Sequence, residues 1–188
     1  MRALMLDPPA ELLDERRRRG QDKLDEMWEG VLHMVPPPSP RHQKFEMRLG
    51  DALQPVASRL GLEIGQNIGV FRQREGESSY RVPDLVIYKP ELESERGVEG
   101  GPEWLAEIRS PNDESYLKLP FYAAVGVKEV MIVDPSTRIF QYFVLRGSQH
   151  HAVAPRRGGV RSSVLKVTFA TVAGPALRIR WRGGQVEV

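Results

Sequence analysis

The chain has 188 residues, with 27 Lys and Arg against 25 Asp and Glu for a formal net charge of +2; 40% of residues are hydrophobic and 28% charged. That is the balance of a globular chain with one ordinary core and too little length for two. No apolar run approaches the ~20 residues that span a bilayer, and the absence of cysteine excludes disulfides, thiolate metal sites and a cysteine nucleophile.

The opening MRALMLDPPAELLDE has early acids and no long apolar stretch, so it does not read as a signal peptide. Together with the missing cysteines this points to the cytoplasm. Any bound ion must use oxygen or imidazole ligands, which suit magnesium or manganese. The mild positive charge permits nucleic-acid binding without requiring it.

Residues 9–19 read as a short helix, with Pro9 in the first turn and acids before the bases Arg16 to Arg19, as the helix dipole prefers. Residues 26–35 alternate in polarity around Gly30 and predict a strand pair or a bulged strand. The segment 36–40 is a stiff proline connector. Ser39 then caps a helix with Pro40 as its first residue. Phe45, Leu49, Ala52, Leu53, Val56 and Leu60 recur at helical spacing, so this helix runs to about Leu60, kinked at Pro55 and stopped by Gly61.

Residues 62–73 predict one strand weakened by Gly65 and Gly69, 74–79 a turn, 81–90 a strong strand, and 91–102 a polar loop. Residues 103–111 form another strand, ended by Pro111. Asn112 or Asp113 caps the next helix, which reaches Gly126 and bends at Pro120. Strands follow over 128–135 and 138–147. The remainder predicts two or three short strands, with turns at Gly158-Gly159, Gly174-Pro175 and Gly183-Gly184. The order describes an α+β, or mixed α/β, domain.

Side chains alternate along a strand. Asp84 therefore shares a face with Val82, Val86 and Tyr88, and Glu107 shares one with Leu105 and Arg109. A carboxylate among apolar neighbours is costly without a partner. If the two strands are neighbours, both acids converge and can hold one divalent ion. Arg109 points the same way and can clamp a phosphate. Spacing by itself favours a plainer arrangement, with Glu107 and Arg109 paired to opposite charges and Asp84 accepting backbone hydrogen bonds at a strand end.

Pro83-Asp84 followed by Glu107-Ile108-Arg109 resembles the PD-(D/E)XK nuclease motif, with arginine where lysine is usual. A longer set sharpens the resemblance: Glu26-Met27-Trp28-Glu29-Gly30, Pro38-Ser39-Pro40-x-His42, Val82-Pro83-Asp84, Glu107-Ile108-Arg109-Ser110-Pro111, Lys118-x-x-x-Tyr122, Gly126-Val127 and Ile132-Val133-Asp134-Pro135. In this order and spacing the chain resembles the Uma family of restriction-endonuclease-like proteins, over about residues 22 to 147.

The resemblance implies a restriction-endonuclease-like core, a mixed central sheet flanked by helices. It divides the chain into an N-terminal arm, 1–21, and one domain, 22–188, with a β-rich extension from about 150. It implies a metal-dependent endonuclease acting on DNA, with Asp84 and Glu107 holding magnesium or manganese. The basic position is divided between Arg109, which holds the motif place, and Lys118 on the following helix. Lys118 is preferred, because a lysine buried near a metal can lose its proton and arginine cannot. Glu26, Glu29 and His42 are candidates for outer-shell or substrate contacts, and Tyr122 lies one turn from Lys118. A homodimer is expected, since two-fold dimers are common. The alternative is a non-catalytic module on the same fold that binds nucleic acid or protein.

Overall fold

A computed structural model of the chain describes residues 3–72, 79–110 and 114–188. Its middle layer is a six-stranded mixed sheet. In spatial order this sheet runs β13 (Gln149–Ala152), β12 (Phe140–Arg146), β11 (Glu129–Val133), β10 (Trp104–Ile108), β7 (Leu85–Tyr88) and β4 (Glu63–Gln66). Only β10 and β11 are parallel. A parallel pair needs a crossover, and helix α3 (Leu119–Val125) provides it. Gly126, at φ 91°, ends that helix in the left-handed region where glycine carries no steric penalty.

Alternation along these strands builds two cores. Leu85, Ile87, Trp104, Ala106, Ile108, Met131 and Val133 face one side, against Phe45, Leu49, Leu53 and Val56 of helix α2 (Pro40–Arg59). Val86, Tyr88, Leu105, Val130 and Ile132 face the other, against Phe121 and Tyr122 of α3. The architecture is therefore α+β, a mixed sheet flanked by helices, as expected.

A seven-stranded sheet lies beyond the α3 face, in the order β1 (Ala3–Leu6), β3 (Val31–Met34), β2 (Glu26–Trp28), β6 (Tyr80–Arg81), β5 (Val70–Phe71), β9 (Gly97–Glu99) and β8 (Glu93–Ser94). The β2–β3 pair is a hairpin whose turn residues Glu29 and Gly30 both have positive φ, 48° and 88°, as a tight hairpin turn demands. A four-stranded sheet, β14 (Val160–Arg161), β15 (Thr168–Val172), β16 (Ala176–Trp181) and β17 (Gly184–Glu187), closes the α2 side. Its Phe169, Leu177 and Ile179 join the α2 core.

Several elements differ from the sequence reading. The first helix, α1, spans Ala10–Arg18, and Pro9 precedes it at the cap. The single strand expected over 62–73 is β4 and β5, in different sheets, because Asn67 turns through φ 55°. The strand expected over 81–90 is β6 and β7, interrupted at Val82-Pro83-Asp84, since Pro83 has no amide to give a ladder. The loop over 91–102 contains β8 and β9. The helix expected from about 113 begins as a 3-10 turn, Ser115–Lys118, and Pro120 sits in the first turn of α3, where it is tolerated, so it does not bend a longer helix. The tail from 150 holds more strands than the two or three expected. Ser39 does cap α2, its Oγ accepting from the His42 amide at 3.3 Å. The proposed caps Asn112 and Asp113, the strand end at Pro111 and the turn at 74–78 lie outside the described residues.

Candidate active site

The interruption between β6 and β7 creates the site. In the antiparallel ladder Leu85 faces Ala106 and Val86 faces Leu105; one more step places Asp84 opposite Glu107. Asp84 is already off the ladder, so its carboxylate is free to turn, and its Oδ2 accepts from the Ile108 amide at 2.5 Å. The Val82 amide, likewise outside a ladder, donates to Glu26 Oε1 at 2.9 Å. The kink thus ties β2, β7 and β10 together through carboxylates.

Behind Glu107 lies a buried ion-pair network. The Lys118 ammonium donates to Glu26 Oε1 at 2.6 Å and to both Glu107 oxygens at 3.1 Å. The Tyr122 hydroxyl donates to Glu107 Oε1, and the Trp28 indole to Glu26 Oε2 at 2.8 Å. Lys118 and Glu107 are each 4% exposed and Glu26 only 1%, so little of this network meets bulk water. Lys118 and Tyr122 reach the same carboxylate because they lie one turn apart where the 3-10 turn runs into α3.

On the other flank, the first turns of α2 present His42 and Glu46. His42 Nε2 is 2.8 Å from Asp84 Oδ1 and 3.9 Å from Glu46 Oε2. Ser110 Oγ lies 3.4 Å from His42 Nδ1, and Asn67 donates to Glu46 Oε1 at 2.7 Å. One donor atom from each of His42, Glu46 and Asp84 lies within 4.8 Å of the others. All of these except Glu46 line a cleft of 420 Å³, which continues past Glu107, Lys118 and the prolines Pro36 to Pro38.

Charge crowding shows in the protonation equilibria. Burial, and then the charge of Asp84, raises Glu46 to about 7, against opposing contributions from His42 and Asn67. Burial also raises Glu107 to about 7; Lys118 opposes it, while Asp84 and Glu26 add to it. Burial favours neutral Glu26, but the charge and hydrogen bond of Lys118, with the Val82 and Trp28 donors, outweigh it and lower the pKa. Burial alone would lower His42; the hydrogen bond and charge of Asp84, then Glu46 and Glu107, raise it instead. Burial likewise works against charged Lys118, yet Glu107 and Glu26 raise it above its ordinary value. The two carboxylates by themselves thus favour the Lys118 cation, whereas the sequence reading expects proton loss beside a metal.

Several carboxylates meeting across one cleft, two of them held partly protonated, are a donor set short of positive charge. A divalent cation would relieve that repulsion, and oxygen donors with one imidazole suit magnesium or manganese. The residues present fit such an ion.

The family model "Uma2: Putative restriction endonuclease" matches residues 10–171. The chain belongs to the Uma2 family. The Uma2 match extends past the 147 reached by the motif resemblance and includes β13, β14 and most of β15. The Uma2 chain is also similar to the crystal structure of "a putative nuclease belonging to DUF820" from Anabaena variabilis. The TM-score is 0.57 at 18% identity, over 75% of this chain and 82% of that one. At that identity the likeness shows the fold. No curated protein matches significantly.

Within this Uma2 fold, Asp84, Glu107, Lys118, Tyr122, Glu26 and His42 come together. Glu29 and Arg109 do not join them. Glu29 is 65% exposed at the hairpin turn, beside Ser79 and Arg81. Arg109, just past the β10 end, is exposed and does not line the cleft, its guanidinium 5.7 Å from the Tyr116 ring. Glu46 was missed. Its signal is positional: it lies four residues after His42 on the inward face that also carries Leu49 and Leu53, where an acid has no apolar reason to be.

Proposed function

We propose that this chain is a metal-dependent endonuclease that hydrolyses phosphodiester bonds of DNA at the Asp84–Glu107 cleft. The observation that carries this reading is the placement of Asp84 opposite Glu107, with the Lys118 ammonium on Glu107 and His42 on Asp84. Those side chains come from the residue just before β7, from β10, from α2 and from the turn before α3, and the apolar cores fix these elements in place.

Asp84 and Glu107 would hold the ion, with Glu46 and His42 completing the donor set. The bound ion would supply Lewis acidity at the phosphoryl oxygen and lower the pKa of an attacking water. The Ile108 amide fixes one Asp84 oxygen, so the other faces the cleft. Lys118 engages both Glu107 oxygens and Tyr122 one of them, which fixes the orientation of that carboxylate. Lys118 stays charged and places positive potential beside the reacting phosphate, where negative charge develops. His42, oriented by Asp84 and Ser110, would ligate only as the neutral imidazole, so the proton that Asp84 favours on it would leave as the ion binds.

DNA as the substrate is supported by the family description, and a homodimer by the two-fold symmetry of duplex DNA. The lack of cysteine supports action in the cytoplasm, and no described helix is long and apolar enough to cross a membrane. The test is hydrolysis of duplex DNA, single-stranded DNA and RNA with magnesium or manganese, by wild type and by Asp84→Ala and Glu107→Ala. Loss of activity in both variants is expected; activity surviving both substitutions would show that the centre is wrongly assigned. The second reading, a binding module without turnover, is favoured by one feature, the full engagement of Lys118 by two carboxylates. It predicts DNA binding with no cleavage under either metal. Light scattering tests the dimer.

A further inference from the structure

The first half of α2 breaks two local rules outside the cleft. Arg41, Lys44 and Arg48 are all exposed and form one stripe, and no acid occupies the first turn. Cations there oppose the positive end of the helix dipole, and they repel one another. Arg138, from the turn between β11 and β12, reaches the same face. Its guanidinium lies 4.1 Å over the Phe45 ring, and its Nε donates to the Val188 carbonyl at 3.3 Å. Its Nη1 is enclosed and has no hydrogen-bond partner. Burial, then the charges of Arg48 and Arg41, lower the Arg138 pKa, with Asp134 opposing.

Counter-charge is scarce on this face. Among the described residues no Asp or Glu side chain forms an ion pair with Arg41, Arg48 or Arg138. Arg41 donates to the Ser136 hydroxyl at 3.0 Å. Asp134 is already engaged by the Ser136 and Thr137 amides, each at 2.8 Å. Such a cluster violates local consistency, and violations of this kind mark functional surfaces.

The face begins at the rim of the cleft, because His42, next to Arg41, lines it. From Arg41 to Arg48 the helix rises about 10 Å, at 1.5 Å per residue. That is roughly three steps of a duplex at 3.4 Å per strand phosphate. Guanidinium groups bind phosphate oxygens in pairs, which suits them to this task. We propose that Arg41, Arg48 and Arg138, with Lys44 between, clamp the phosphate backbone of the nucleic acid whose scissile bond lies in the cleft. The inference rests on the nuclease reading for what the cleft does, but backbone binding itself needs no metal.

The test is fluorescence anisotropy of a labelled DNA duplex, titrated with the full chain in EDTA at several salt concentrations. The proteins are wild type, Arg41→Ala/Arg48→Ala, Arg138→Gln, Arg138→Lys and the control Arg178→Ala, with folding checked by thermal melting. Arg178 is paired with Glu187 on the C-terminal sheet. The double variant is expected to bind at least about tenfold more weakly at 0.1 M salt. Its log–log salt slope should fall by about 0.9 for each phosphate contact removed. Arg138→Gln should weaken binding, Arg138→Lys should retain most of it, and the control should match wild type. With manganese present, KM should rise in the double variant while kcat holds. Wild-type affinity and slope in the double variant, or a loss of kcat at unchanged KM, overturns the clamp and leaves the nuclease reading standing. DNA binding through these arginines without hydrolysis under either metal sinks the nuclease reading and keeps the clamp. A wild type without affinity for DNA at low salt overturns both.

Discussion

Lys118→Met isolates the buried network behind Glu107. The substitution removes one ammonium that lies 2.6 Å from Glu26 and 3.1 Å from both oxygens of Glu107, leaving two buried carboxylates without their cation. Removing one partner of a buried pair costs about 3–5 kcal/mol, and the methionine fills most of the space, so little of this is cavity. Glu107, already raised from 4.5 to about 7, rises further without Lys118. A carboxyl whose folded pKa exceeds its unfolded value binds the extra proton in the native state. Its stability contribution therefore falls as pH rises from the unfolded value through the folded one. The variant's deficit should then be largest near pH 8 and smaller near pH 5.5, where both carboxyls take protons more readily. Urea denaturation in EDTA at the two pH values measures this. The double variant Lys118→Met/Glu26→Gln should recover more than half of the loss, because it removes one orphaned charge. A wild-type midpoint for the single variant at pH 8, or an equal deficit at both pH values, refutes the reasoning.

Other outcomes follow from the same geometry. Manganese affinity, measured by calorimetry in two buffers of different ionisation enthalpy, should rise with pH up to about 7 and release protons, because Glu46 and Glu107 hold them below that point; pH-independent affinity without proton release argues against both acids as ligands. Glu46→Gln should weaken manganese binding by about tenfold or more, equivalent to about 1.4 kcal/mol, while Glu29→Gln, at the exposed hairpin turn, should leave it unchanged. Ser39→Ala should lower stability by about 0.5–2 kcal/mol through loss of the cap on α2, read as a shift in thermal midpoint.

Local chemistry made part of this protein legible before any coordinates. Ser39-Pro40 announced α2, since capping and a pre-set φ act within a single turn. Asp84 and Glu107 were placed on matching faces by the two-residue period of strands, and Lys118 and Tyr122 on one face by the turn of a helix. Each inference needed only neighbours in sequence. Spacing alone also favoured Asp84 accepting a backbone amide, and it does, from Ile108.

Tertiary structure decided the rest. It split the expected 81–90 strand at Pro83, which frees Asp84 to turn toward α2. It delivered Glu46, whose role depends on α2 packing against β7 and β4, a distance the sequence does not encode. It set Lys118 between two buried acids, which favour its charged form: the desolvation and pairing that shift a pKa belong to the assembled surroundings and not to the residue. It also used the C-terminal strands as a wall of the α2 core, through Phe169, Leu177 and Ile179, where the pattern promised only a tail. The sequence thus determined that two acids share the strands' matching faces, because alternation is local. Only the tertiary structure decided that they meet, what partners them and which charge each carries, because those depend on contacts between residues far apart in the chain.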